Sequence, residues 1–163
     1  MSPESPAFTV AAVDVSVVRP LRHLYLRPDQ PVAAVAYKSD DCETCHHVAA
    51  RDAEGTVIGV GTSHYADRVA GQPPFGHPGL RIRGMAVTDA WRSKGVGAAL
   101  IAAMLEAGAE AGMVEAWANA RTASLSFYRR HGFSEVSQVF ELPTIGEHVV
   151  VAVSLAKWAK KAT

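Results

Sequence analysis

The sequence has few of the features that mark secreted, membrane-spanning or nucleic-acid-binding proteins. Two cysteines among 163 residues are too few for a disulfide framework, and no apolar run approaches the roughly 20 residues that cross a bilayer. The 16 Lys and Arg residues balance the 16 Asp and Glu residues, so no net charge favours nucleic acid or a membrane surface. The N-terminus lacks a basic stretch followed by an apolar run, which disfavours a signal peptide. We expect a cytoplasmic protein without nucleic-acid or membrane partners.

What is present indicates one globular domain. Apolar residues make up 48% of the chain and charged residues 20%, which is ordinary for a domain of this length with a buried core. We predict a flexible N-terminus at 1–7, which contains two prolines, a single domain at 8–155, and a basic C-terminal tail at 156–163.

The order of apolar patterns predicts a mixed α/β fold. Asp14 is expected to cap a first helix that contains Pro20, and residues 46–65 alternate about 52–55 as a hairpin should. Residues 70–79 are too rich in Gly and Pro for a regular element. The other predicted elements are strand 8–13, strand 80–87, helix 97–111, strand 113–118, helix 123–131, strand 135–142 and strand 148–155. This order predicts a sheet flanked by helices.

The segment 92–100 is the most informative part of the chain. Its glycines, Gly95 and Gly97, lie between an apolar strand and an apolar-periodic helix, where free backbone N–H groups and the helix dipole attract anions. A Walker loop would need Lys and Ser or Thr after its last glycine, but Ala98 follows Gly97. A dinucleotide fingerprint would need a small residue where Leu100 stands. The segment predicts a pyrophosphate site of another kind.

Three blocks together resemble the GNAT superfamily of N-acetyltransferases. They are Arg-x-x-Gly-x-Gly at 92–97, the strand-like segment 83–87 and the segment 119–133, which ends in Phe-Tyr-x-x-x-Gly-Phe. The resemblance covers roughly 8–155 and is strongest over 80–133. Two further segments, 26–31 and 142–148, are similar to a bacterial subgroup whose substrates are mostly unassigned.

The resemblance implies a fold and an activity. The fold is a mixed, mostly antiparallel central sheet, splayed at strands 4 and 5 and flanked by helices. The activity is transfer of acetyl from acetyl-CoA to a small-molecule or peptide amine, which attacks the thioester directly. Because neither cysteine lies in a matching block, no cysteine nucleophile is expected. Members often pair, so a homodimer is a candidate assembly. The alternative is a non-catalytic acyl-CoA sensor or regulatory protein.

The resemblance also implies which residues hold the cofactor. Backbone N–H groups of 93–98 would bind the pyrophosphate, with charge added by Arg92 and Lys94. The backbone of 85–87 would pair with the pantetheine arm, and an N–H near Val87 would face the acetyl carbonyl. Arg121 stands where many members have asparagine, so that either it or the nearby Asn119 could reach the cofactor. The full set is Met85, Ala86, Val87, Arg92, Ser93, Lys94, Gly95, Val96, Gly97, Ala98, Asn119, Arg121, Ser124 and Tyr128.

For proton transfer, the sequence indicates one candidate general acid and leaves several candidates for the general base. Tyr128 occupies the family's general-acid position, and a phenol can protonate a departing thiolate of similar basicity. No carboxylate stands at the family's usual base position. Glu115, His148 and His23 with Tyr25 are the open candidates. We favour His148, because a turn at 146–148 is expected near the substrate and histidine titrates near neutral pH.

A Cys-x-x-Cys-His run at 42–46 is a competing motif. It matches the pattern for haem attachment, and Cys42, Cys45 and His46 or His47 could instead ligate zinc. Haem attachment occurs in exported proteins, and the order of elements belongs to another fold. We interpret the spacing as chance and expect no metal cofactor.

Overall fold

A computed structural model of the protein describes residues 7–162, with side chains as far as Trp158. The strands are β1 (Phe8–Ala12), β2 (His46–Asp52), β3 (Val57–Tyr65), β4 (Gly79–Val87), β5 (Glu115–Arg121), β6 (Ser134–Glu135), β7 (Phe140–Leu142) and β8 (Gly146–Ser154). The α-helices are α1 (Val15–Leu26), α2 (Val96–Glu110), α3 (Leu125–Arg130) and α4 (Leu155–Ala162). Short 3-10 helices occupy Val32–Val35, Lys38–Asp41, Asp89–Trp91 and Thr122–Ser124. Most of the segment predicted to be flexible, 1–6, lies outside the described residues.

The strands form one mixed sheet. Its hydrogen-bonded order is β1-β2-β3-β4-β5-β8-β6, and β7 also pairs with β8. The sheet is mostly antiparallel, but β4 and β5 run parallel. The two strands pair only from Gly79–Arg81 to Glu115–Trp117, although β4 continues to Val87 and β5 to Arg121. This confirms the predicted mixed sheet that opens between its fourth and fifth strands.

The backbone divides into two compact units. One comprises residues 7–63 and 84–104, and the other comprises 64–83 and 105–162. We call them the first and the second unit and describe each by itself. The prediction of a single domain over 8–155 stays a prediction.

In the first unit, α1 begins as the sequence predicts. Asp14 is its N-cap, and its carboxylate accepts a hydrogen bond from the Ser16 N–H at 2.9 Å. Pro20 lies inside the helix, where its missing N–H removes one backbone hydrogen bond. The helix packs its apolar side on a cluster formed by Val18, Ala49, Val60 and Ala86, all at least nine-tenths buried.

The second unit has its own core around Trp117 on β5. The Trp117 ring packs with Val150 and Ala152 of β8, and its indole N–H donates to the Ala66 carbonyl at 2.7 Å. The Arg81 guanidinium lies over the same ring, 5.1 Å from its centroid. A large aromatic residue with a partner for its N–H can be buried without an unsatisfied donor.

Two predicted strands need correction. The strand predicted at 113–118 is β5, Glu115–Arg121, because its pairing with β8 continues to Arg121 opposite His148. The strand predicted at 135–142 is two strands, β6 and β7. Glu135 pairs with Val151 and Phe140 with His148, so the four residues 136–139 lie opposite two residues of β8, 149 and 150, and the excess bulges out. Hydrogen bonds from the Val136 N–H to the Val150 carbonyl and from the Val150 N–H to Ser137 Oγ fill this gap in the ladder.

The helices also differ from the prediction at their ends. The helix predicted at 123–131 is a 3-10 turn followed by α3, which begins at Leu125. Of the predicted tail, residues 156–162 lie within α4, whose alternation of small and basic residues did not indicate a helix, and Thr163 lies outside the described residues. No helix in the described part of the chain is long and apolar enough to span a membrane.

Candidate functional site

The segment predicted to bind pyrophosphate forms the start of α2. Residues 92–95 make an exposed turn, in which Ser93 and Gly95 have left-handed backbones with φ of 61° and +86°. The Ala99 N–H donates to the Gly95 carbonyl at 3.0 Å, so Gly95 caps the helix. The N–H groups of 96–98 therefore precede the first intrahelical bond and have no carbonyl one turn back. Such a turn leading into a helix presents several donors to an anion.

The two cations of this turn lie on aromatic faces at the surface. The Arg92 guanidinium lies 5.9 Å from the centroid of the Tyr25 ring of α1, and its Nε is 3.3 Å from the Asp89 carboxylate. The Lys94 ammonium lies 5.6 Å from the centroid of the Trp91 ring. Both side chains are exposed, so they add charge around the turn without needing to be desolvated.

The end of β4 lies in the same unit as this turn. Ala86 is buried in the core, and Met85 and Val87 are half-buried. The Thr88 N–H donates to the Ile58 carbonyl of β3 at 2.9 Å. Since N–H groups alternate in direction along a strand, the N–H of Val87 points away from β3. A donor near Val87 is thus available outside the β3–β4 ladder.

Tyr128, the predicted general acid, lies on α3 in the second unit. Its ring is wedged edge-on between Phe127 and Phe133, with centroid distances of 5.3 and 5.2 Å. Burial raises the pKa of the Tyr128 phenol to about 12, so it keeps its proton at neutral pH. The basicity match with a thiolate that the sequence argument assumed does not hold for this buried phenol.

His148, the preferred base, does not lie in a turn. The expectation of a turn at 146–148 was wrong, because these residues begin β8 and the turn precedes them at 143–145. His148 is 4% exposed, its Nδ1 is 2.8 Å from the Gly146 carbonyl oxygen, and its ring stacks on Phe140 at 6.1 Å.

The two candidates for contacting the cofactor backbone share a strand. Asn119 and Arg121 alternate on β5, opposite Val150 and His148 of β8 respectively. Directly opposed residues point to the same face, so Asn119, Arg121 and His148 lie on the Trp117 face of this unit. Ser124 is the N-cap of α3, and its hydroxyl makes no capping hydrogen bond there.

The other candidate bases have partners. Glu115 is buried in an ion pair with Arg68, whose Nη2 lies 2.9 Å from Oε1. His23 Nε2 is 2.8 Å from the Gln30 carbonyl oxygen, and the Tyr25 hydroxyl accepts from the Asp89 N–H at 3.3 Å. Sequence reasoning missed Arg68, because its partner is 47 residues away and no local spacing marks such a pair.

The Cys-x-x-Cys-His run packs against its own turn. Cys45 Sγ donates to the Ser39 carbonyl at 2.7 Å, and burial raises the pKa of the Cys45 thiol to about 12. Burial also raises the pKa of Cys42, but hydrogen bonds from Thr44 and Cys45 outweigh it and leave the value below the ordinary one. Within residues 7–158, no group of three His, Cys, Asp or Glu side chains is arranged to hold a metal ion. The absence of a metal cofactor stays a prediction.

The candidate residues are divided between the units. The turn at 92–98 and the segment 85–87 belong to the first unit, whereas 119–128 and His148 belong to the second.

Comparisons with known proteins identify the class. Residues 15–133 match the profile of the acetyltransferase (GNAT) family. The uncharacterized N-acetyltransferase YitI of Bacillus subtilis (strain 168) is 30% identical over 152 residues, which cover 90% of this chain and 95% of YitI.

Solved structures agree on the fold. The chain is similar to FeeM, an N-acyl amino acid synthase from uncultured soil microbes, with a TM-score of 0.74 at 11% identity, covering 95% of this chain and 94% of FeeM. It is also similar to the ribosomal-protein-S18-alanine N-acetyltransferase of Escherichia coli, with a TM-score of 0.70 at 13% identity, covering 91% and 94%.

The chain therefore belongs to the GNAT acetyltransferase family and is an N-acetyltransferase. The family transfers acyl groups to small-molecule or protein amines and uses acetyl-CoA as co-substrate.

Proposed function

We propose that this protein transfers an acetyl group from acetyl-CoA to an amine that attacks the thioester directly. The observation that supports this most is the start of α2, where left-handed residues Ser93 and Gly95 precede N–H groups at 96–98 that lack helical partners. These donors, with Arg92 and Lys94 beside them, fit the charge of a pyrophosphate.

Acetyl-CoA would supply an activated acetyl thioester, and the chain would orient it. We assign the backbone of Met85, Ala86 and Val87 to the pantetheine arm. The Val87 N–H, which points away from β3, is the donor for the oxygen that becomes negative as the amine adds to the carbonyl. Asn119 or Arg121, and the small Ser124, would contact the cofactor from β5 and the start of α3.

Proton transfers complete the reaction. The amine nitrogen forms a bond to the acetyl carbon, the carbon–sulfur bond breaks, and sulfur leaves as a thiolate. Tyr128 donates its phenolic proton toward that sulfur, and His148, directly or through water, takes the proton that the amine nitrogen loses. Because a phenol with a pKa of about 12 is a weaker acid than an ordinary thiol at about 8.5, Tyr128 must recover its proton quickly from the site or from water.

One observation would suit a member of the family that has lost transfer activity, which is the second candidate, a non-catalytic acyl-CoA sensor. Glu115, the only carboxylate among the candidate bases, is held by Arg68 in a buried ion pair, which leaves His148 or His23 to act as the base. A protein that binds acyl-CoA without transferring acetyl would have the same first unit.

One experiment separates the two candidates. Purified protein is titrated with acetyl-CoA in a calorimeter and then incubated with acetyl-CoA and a panel of polyamines, amino acids and peptides. We expect binding, thiol release and a product heavier by one acetyl group for at least one amine. Binding without product across the panel would favour the sensor, and an absence of binding would contradict both.

A further inference from the structure

A fully buried arginine in the first unit donates hydrogen bonds from both terminal nitrogens of its guanidinium. Arg22, on α1, is 0% exposed. Its Nη1 donates to Asp40 Oδ2 at 2.8 Å and to the Val35 carbonyl at 3.0 Å, and its Nη2 donates to Asp40 Oδ1 at 3.0 Å and Thr62 Oγ1 at 2.6 Å. The guanidinium also lies 4.2 Å from the Tyr37 ring centroid. These bonds use four of the five N–H groups of an arginine.

The fifth N–H group lies against β4. Arg22 Nε has no hydrogen-bond partner among the described residues, and a Cβ placed on Gly84 would lie 2.8 Å from it. Gly84 has a left-handed backbone, with φ of +66°. Glycine allows this left-handed backbone, which we call the Gly84 kink, and leaves room for the guanidinium beside it, whereas a side chain at position 84 would collide with Nε.

The network extends to a second strand through Thr62. His47 Nδ1, on β2, is 2.8 Å from Thr62 Oγ1, and His47 Nε2 is 3.4 Å from the Asp40 carbonyl oxygen. Because Thr62 already accepts from Arg22, its hydroxyl proton can go to Nδ1, which leaves the His47 proton on Nε2. Burial lowers the pKa of His47, in agreement with a neutral ring. The guanidinium is thus fixed from α1, β2, β3 and the Lys38–Asp41 turn.

We propose that Arg22 is a positioning residue for acetyl transfer: its buried guanidinium holds the kink at Gly84 and thereby sets the direction of the backbone N–H groups at 85–87. This rests on the proposed function, in which that segment orients the acetyl thioester. An arginine suits the role because its planar fork bonds to Asp40 and Thr62 at once, which a lysine cannot do. The pyrophosphate donors at the start of α2 are separate, so the effect should appear in turnover more than in binding.

The test uses two variants that disturb this contact in different ways. Thr62→Val keeps the shape of the side chain and removes one acceptor of Arg22, whereas Gly84→Ala pushes on Nε. Gly55→Ala is the matched control, because Gly55 has a similar φ of +85° with nothing within 4 Å of its Cβ position. For each variant, kcat, KM and Kd for acetyl-CoA are measured, together with amide hydrogen exchange across residues 84–88 and thermal stability.

We expect Thr62→Val and Gly84→Ala to lower kcat by about 10-fold or more, in line with misplaced catalytic groups, and to raise the Kd by a smaller factor, because the pyrophosphate donors stay in place while the pantetheine contacts shift. Exchange at 84–88 should become faster in both variants. Gly55→Ala should lose stability through backbone strain alone, without either change. Unaltered exchange at 84–88, or a kcat loss no greater than that of Gly55→Ala, would overturn the proposal. If the wild type transfers acetyl to no amine, the proposed function fails, but the exchange comparison still decides whether Arg22 positions this segment.

Discussion

Each unit of the protein contains a buried arginine paired with a carboxylate, and the two pairs differ in what else they bind. In the first unit, Arg22 and Asp40 are both 0% exposed at their side chains. In the second, the side chains of Arg68 and Glu115 are 2% and 9% exposed. Both pairs use two guanidinium nitrogens on one carboxylate.

The difference lies in the remaining bonds of each guanidinium. Arg22 bonds to Thr62 on β3 and lies beside Gly84 of β4, where an added side chain would collide with it, so it joins separate elements. Arg68 donates instead to three carbonyls of the turn that follows it in sequence, those of Ala70, Gln72 and Pro74. The same kind of ion pair, an arginine with a carboxylate, thus serves a strand kink in one unit and the shape of an irregular loop in the other. The bonds from Arg68 also account for the order of the Gly- and Pro-rich residues 70–78, which form no strand or helix.

The largest expected effect comes from breaking the pairs one at a time. Asp40→Asn leaves the Arg22 charge fully buried without a counter-charge, which should cost about 3–5 kcal/mol of unfolding free energy. Glu115→Gln should cost less, about 1–3 kcal/mol, because Arg68 keeps its three carbonyl acceptors. Denaturant unfolding of both variants measures the difference. Equal losses, or a larger loss in Glu115→Gln, would show that the extra carbonyl bonds do not compensate.

Acid should weaken the first pair in a defined direction. Burial raises the pKa of the Asp40 carboxyl, but hydrogen bonds and charge from Arg22 outweigh it and hold the pKa below its ordinary value of 3.8. The stability that the carboxylate contributes is therefore complete above about pH 4 and is lost as pH falls through the lowered value. We expect the stability difference between wild type and Asp40→Asn to shrink below pH 3.8 in unfolding titrations. A constant difference down to pH 2 would contradict this.

The units should also differ in what their variants do to catalysis. If the second unit supplies the proton donor, Tyr128→Phe should lower kcat about 10- to 1000-fold and leave acetyl-CoA affinity close to that of the wild type. The ring contacts with Phe127 and Phe133 remain, so stability should change little. Phe127→Leu is a control that disturbs the same packing without removing a hydroxyl. Wild-type turnover in Tyr128→Phe would mean that water or another group protonates the sulfur.

The smallest effect is expected for the cysteines. Cys42→Ser combined with Cys45→Ser should leave the fold and acetyl-CoA affinity unchanged, because the thiols bond locally, Cys42 to Thr44 and Cys45 to the Ser39 carbonyl. Metal analysis and absorbance of the wild type should show neither zinc nor haem. Near one equivalent of either would revive the metal-site interpretation.

The sequence allowed features set by neighbouring residues to be predicted, but not contacts between residues far apart in the chain. The Asp14 cap, the hairpin at 46–65 and the α2 turn follow from residues within a few positions of one another, as capping and turn chemistry do. Arg22 lies 18 residues from Asp40 and 40 from Thr62, so only the folded chain brings them together. The bulge between β6 and β7 depends in the same way on the register with β8.

Calorimetry of Gly97→Asp tests whether the turn at the start of α2 binds the pyrophosphate of acetyl-CoA, as we propose. The substitution adds a side chain and a negative charge beside donors that face an anion, so affinity should fall by about 2 kcal/mol or more, roughly 30-fold. Gly55→Asp adds the same charge at the hairpin of the same unit and should bind acetyl-CoA as the wild type does. Wild-type affinity in a folded Gly97→Asp protein would contradict the assignment of this turn.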